Sequence, residues 1–215
     1  MYASVKLDKL FILAAVMVIG SASPIMPTTM QHLRSRLTSV DSHHSQLYDS
    51  IRTKRFLNPE KVLPMQAITG MEPVKAHLRY LDRNDEAEPQ VVYTMLYESL
   101  LIFREAFRLI AIQEMVLEDR LKELDDLVMR EPSFHIEVRR VYHDIDSLLQ
   151  RLTHVMAQSD IPIPEFEPNI ILESEVDGKI CDQGCKHERN LYIHQQFNYF
   201  LDRMAYNIAA LNEES

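Results

Sequence analysis

Residues 124–155 read LDDLVMREPSFHIEVRRVYHDIDSLLQRLTHV, and the fold turns on how this stretch is parsed. From Phe134 onward the apolar residues Val138, Val141, Ile145, Leu148, Leu152 and Val155 follow a strict alternation of four and three. That spacing is one face of an α-helix. Upstream, Val92, Leu96, Ser99, Phe103, Ala106, Ile110, Leu117, Leu121, Leu124 and Val128 trace a second, longer helical face. Glu131-Pro132 interrupts it, because a proline biases its predecessor away from helical geometry. Two long helices joined by a very short link are therefore expected. The first begins near Glu88, where acidic residues precede Pro89 and suit the positive end of a helix dipole.

Working outward, Met30, Leu33, Leu37, Val40, Leu47 and Ile51 predict an earlier helix over about residues 28–53, with His44 filling the one vacant position of the spacing. Thr28 and Gln31 fit a capping box at its start. Toward the C-terminus, Pro162, Pro164, Pro168 and Gly178 mark residues 160–180 as a connection. Ile193, Phe197, Phe200, Met204, Ile208 and Leu211 then predict a last helix.

The connections constrain the topology. A helix of about 25 residues is about 38 Å long, so a short link can start only an antiparallel neighbour. Residues 54–87 and 159–186 can each span that length. The expected fold class is all-α: a four-helix bundle, up-up-down-down, with two long crossover connections.

At the N-terminus, Lys6 and Lys9 precede an unbroken apolar stretch from Leu10 to Ile19 and the small residues Gly20-Ser21-Ala22-Ser23. This reads as a secretory signal over residues 1–22, cleaved after Ala22, with the bundle domain over 23–215. The apolar stretch falls short of the ~20 residues a spanning helix needs, so stable membrane insertion after cleavage is not expected. The net charge of −9 argues against a nucleic-acid partner, which favours a basic field. Two cysteines, Cys181 and Cys185, are too few for a disulfide scaffold, so apolar packing must hold the fold. In an exported protein they are expected to pair locally and fix the entry to the last helix. An intermolecular bond or free thiols are the alternatives, and a zinc site with His187 and His194 is a minor one. No Asn-x-Ser/Thr acceptor occurs.

Signal sequence, four amphipathic helices and long-short-long connections together resemble the long-chain helical cytokines. Leu37-Thr38-Ser39-Val40, the Leu100-Leu101-Ile102-Phe103 to Leu124 stretch and the Phe134 restart are similar to the leukaemia inhibitory factor and ciliary neurotrophic factor group. Where that group often carries Phe-x-x-Lys, this chain reads Cys185-Lys186-His187-Glu188-Arg189, and it has no tryptophan. The resemblance implies a secreted signalling ligand that binds and brings together cell-surface receptors of the cytokine type, without catalysis or cofactor. By position it implies one receptor-binding surface with Arg34, His43 and Arg140, and a second with Phe56, Leu57, Lys186 and Arg189.

Other features carry blander readings. Arg52, Lys54 and Arg55 match a dibasic processing pattern, yet basic residues also suit the last turn of a helix, and that reading is preferred. His44 is expected at the edge of the core; His43, His135 and His143 are expected to be solvated, and no metal is expected. The acids Glu98, Glu105, Glu114, Glu118 and Glu123 interleave with Arg104, Arg108, Arg120 and Lys122 as a salt-bridged outer face. No Gly-rich phosphate loop, nucleophile elbow or metalloprotease motif is present. The alternative function is a secreted carrier of an apolar small ligand, its cavity lined by Met95, Phe103, Phe107 and Met204; the chain's eleven methionines serve equally well as core filler.

Overall fold

The computed structural model describes residues 27–55, 68–84, 87–124, 134–173, 175–176 and 179–213. The expected signal sequence, the Phe56-Leu57 pair and the Pro132 link lie outside them. The described chain is all-α with short strand pairs: α1 (Pro27–Arg55), β1 (Ile68–Thr69), α2 (Glu72–Leu81), α3 (Pro89–Leu124), α4 (Phe134–Gln158), β2 (Ile171–Leu172), β3 (Glu175–Val176), β4 (Lys179–Ile180) and α5 (Gln183–Glu213).

The four long helices bury the faces that their periodicity predicts. From α1 come Met30, Leu33, Leu37, Val40, Leu47 and Ile51; from α4, the whole four-three series starting at Phe134; from α5, Ile193, Phe197, Phe200, Met204, Ile208 and Leu211. These close one continuous core with α3. α1 begins at Pro27, so Thr28 is already helical and the expected capping box is replaced by a proline at the first helical position, where its missing N–H costs nothing. α1 runs on through Arg55, so the basic cluster does form its last turn.

Side-chain contacts fix the relative directions of these helices. Met30 meets Tyr93 and His44 meets Phe107, so residue numbers rise together along α1 and α3. Along α1 and α5 they run oppositely, with Arg34 at Ile208 and His44 at His194. The same holds for α3 and α4, where Arg104 meets Asp146 and Glu118 meets His135.

Two features of the connections were not expected. α2 is a fifth helix, started by Glu72-Pro73 and burying Val74, Leu78 and Leu81 against the bundle. β1 pairs antiparallel with β2, Ile68 opposite Leu172 and Thr69 opposite Ile171, which ties the connection before α3 to the one before α5. Gly70 follows β1 at φ +94°, and a Cβ there would lie 2.1 Å from the Asn169 carbonyl oxygen, so only glycine fits. Among the described residues no helix is long and apolar enough to cross a membrane.

Candidate functional site

Asp144 organises the outward face between α1 and α4. Its carboxylate is buried, at 7% exposure, and such a group needs charged or hydrogen-bonding partners. Arg36 donates from Nη2 to Oδ1 at 2.5 Å, and His43 contacts Oδ2 through Nδ1 at 2.8 Å. Arg36 and His43 are seven residues apart, two helical turns, so they share a face of α1. Arg140, one turn before Asp144 on α4, donates from Nη2 to His43 Nε2 at 3.0 Å. The result is a chain of contacts, Arg36 to Asp144 to His43 to Arg140, that crosses from one helix to the other. Beside it lies a cleft of about 230 Å³ lined by His43, Gln46, Leu47, Ser50, Glu137, Arg140 and Val141.

Of the residues expected on the first receptor surface, His43 and Arg140 are thus in direct contact. Arg34 is not with them. Nine residues separate it from His43, half a turn beyond two full turns at ~100° per residue, so it faces α5 and donates to the Ile208 and Ala209 carbonyls at 3.4 and 3.5 Å. Arg36, which sequence reasoning passed over, takes its place; its seven-residue spacing from His43 was the available signal.

The second surface divides as well. Lys186 lines a cleft with Ile112, Gln113, Val116 and Asn190. Arg189 is buried at 1% exposure and holds α5 in place, donating to the Glu173 carbonyl at 3.0 Å and to Gln113 Oε1 at 2.5 Å. Burial pulls its pKa down to about 10, with Glu173 acting in the opposite direction. Its guanidinium is an internal brace and not a surface anchor.

Cys181 and Cys185 form the expected local disulfide, closing onto the first turn of α5. Asp182 caps that turn, its Oδ1 accepting from the Cys185 N–H at 2.9 Å. Both sulfurs are engaged in that bond, and His187 and His194 contact Gln183 and His44. No cluster of three or more metal-ligating side chains occurs among the described residues.

His44 lies deeper than expected. It is fully buried, its Nε2 3.0 Å from His194 Nδ1, with the Phe107 and Phe197 rings edge-on at 5.9 and 4.8 Å. Burial pushes its pKa down to about 3, and Asn198 opposes the shift. Glu114 is likewise buried instead of solvated, with Asn190 3.5 Å away. Glu118 contacts both the backbone N–H and Nδ1 of His135, which is therefore paired. Phe103, Phe107 and Met204, expected to line a carrier cavity, are fully buried, with Phe103 and Phe107 packed on Phe197 at 4.9 and 5.1 Å.

His77 joins Ser99 at 3.0 Å and Glu98 at 3.4 Å, a serine-histidine-carboxylate series in outline. The Ser99 side chain is completely buried, where no substrate carbonyl can approach, and the series clamps α2 onto α3. Compared with known protein families, curated proteins and solved structures, the chain has no match.

Proposed function

We propose that this protein is a secreted, cytokine-like ligand that brings cell-surface receptors together, built as an up-up-down-down four-helix bundle. The observation that carries this reading is the Arg36–Asp144–His43–Arg140 chain, which holds cationic groups in fixed positions on the outward face of two packed helices. A ligand of this kind works by geometry: anchors held rigid before binding lose little entropy when a receptor meets them. The parallel run of α1 with α3, and the opposed runs of α5 against α1 and of α4 against α3, support the topology, since both parallel starts require a long crossover. Lys6, Lys9 and the apolar residues after them support export, and the Cys181–Cys185 bond is compatible with an oxidising compartment.

Binding of the labelled mature protein to cells of its own organism tests the reading. Saturable binding, competed by unlabelled protein at nanomolar concentrations, is expected. Correctly folded protein that never saturates on a broad panel of cell types would overturn it.

A further inference from the structure

His43 is held between an acceptor and a donor. Asp144 can only accept from it as a carboxylate, so Nδ1 carries the proton; Arg140 can only donate, so Nε2 must offer a lone pair. The geometry therefore requires the neutral, Nδ1-protonated imidazole. A second proton has one place to go, Nε2, and there it turns an acceptor into a donor facing the guanidinium at 3.0 Å. We propose that His43 is a proton-operated latch on Arg140: neutral imidazole holds the guanidinium, and imidazolium releases it.

The other charged groups around His43 favour this direction. From α1, Arg36 stays on Asp144 Oδ1 while an imidazolium stays on Oδ2, so the buried carboxylate keeps both partners and gains a second full positive charge. From α4, Glu137 lines the same cleft as His43 and Arg140. It stands three residues before Arg140, the helical spacing at which side chains meet, so the freed guanidinium has a carboxylate within reach. His43 and Arg36 are half-buried and Arg140 is exposed, so protons reach the latch without unfolding. Acidification would thus move one guanidinium and add one positive charge on the face that the proposed function assigns to a receptor. Histidine is the side chain that titrates between neutral and endosomal pH. Under that reading, a receptor group fitted to Arg140 in its held position loses that anchor on acidification, as the guanidinium turns away from His43 toward Glu137.

Two arms on the full mature chain separate the latch from the receptor reading. Nitrogen-resolved NMR between about pH 7.5 and 5 should show the Nδ1-protonated tautomer of His43 at the upper end. The Arg140 guanidinium resonance should move on the same titration curve. In His43→Gln, whose carboxamide both donates and accepts without titrating, the Arg140 resonance should stay still. Should that variant fold poorly, Arg140→Met tests the same contact: Asp144 still keeps the proton on Nδ1, and loss of the donor should move the His43 Nε2 resonance at the upper end of the titration. An Nε2-protonated ring at pH 7.5, or an Arg140 signal that ignores His43, overturns the latch. In the second arm, cell binding at low pH should fall about tenfold for the wild type and stay level for His43→Gln, a coupling of ordinary allosteric size. A moving Arg140 signal with no saturable binding at either pH would leave the latch standing and overturn the receptor reading. Saturable, pH-independent binding with an unmoving Arg140 does the reverse.

Discussion

At the scale of single residues, the two adjacent histidines have opposite fates because one step along a helix turns ~100°. His43 reaches the α1–α4 face, whereas His44 enters the aromatic interior and meets His194. A buried neutral pair needs one ring to donate and the other to accept, and a proton on the accepting nitrogen destroys the arrangement. The pKa of His44, about 3 in the fold against 6.5 for an ordinary histidine, sets the sign. The unfolded chain takes up the proton first, so the contribution of His44 is fully present above pH 6.5 and lost as pH falls toward 3. Within that window the slope is about 1.4 kcal/mol per pH unit. Urea midpoints measured between about pH 6.5 and 4.5, above the range in which most carboxylates titrate, should therefore fall for the wild type. His44→Gln should cost about 1–3 kcal/mol at neutral pH and flatten that slope. An unchanged slope would mean that other groups govern acid stability. The sequence did reveal that His44 faces inward, since it occupies a core position of the α1 repeat. Its partner was hidden, because His194 is 150 positions away and the α5 repeat names only apolar residues.

At the scale of elements, the long helices were legible and the short pieces between them were not. Four-three spacing sustained over six or seven positions has few alternative explanations, and α1, α4 and the buried face of α5 follow it closely. α2 offers only Val74, Leu78 and Leu81, too brief a series to stand out within a long connection. The β1–β2 pair is two residues on each side and is made by segments about a hundred positions apart, so no local pattern announces it. The candidate site divided along the same line. Helical phase holds the information that parts Arg34 from His43, which placement by resemblance alone puts on one surface; the burial of Asp144 and Arg189 depends on packing that periodicity does not encode. Gly70 is where the cost of the strand pair concentrates. Its positive φ and the 2.1 Å approach to the Asn169 oxygen predict that Gly70→Ala loses at least about 2 kcal/mol, strain and backbone displacement together. Thermal melts of the variant should show this, and amide exchange should quicken first in β1 and β2 while the centres of α3 and α4 stay protected. A melt like that of the wild type would show that the two connections do not need each other.

For the whole molecule, the decisive relation is between α1 and α3. Met30 lies level with Tyr93, and fourteen residues farther along each helix His44 lies level with Phe107, so the two helices advance in step. That step is what separates two long crossovers from a bundle in which every helix reverses. In both arrangements α1 and α5 run oppositely, so their contacts cannot discriminate. Spin labels can. Gln31, Gln90 and Val116 are exposed positions on α1, on the first turn of α3 and on its far half. From the level of Tyr93 to Val116 the helix rises about 35 Å, at 1.5 Å per residue, and Gln90 sits within a turn of Tyr93. The distance from Gln31 to Gln90 should therefore be short, about one or two helix diameters, and that from Gln31 to Val116 should be about 35–40 Å, because the axial rise and the lateral separation of the helices combine at right angles. In an up-down-up-down bundle the start of α3 lies at the opposite end, so the order reverses, with Gln31 close to Val116 and far from Gln90. Echo-based distances on the two label pairs decide between the arrangements without any knowledge of the partner. A reversed order would remove the structural support for the receptor-ligand reading, because the face shared by α1 and α4 in antiparallel register exists only if the chain crosses over before α3.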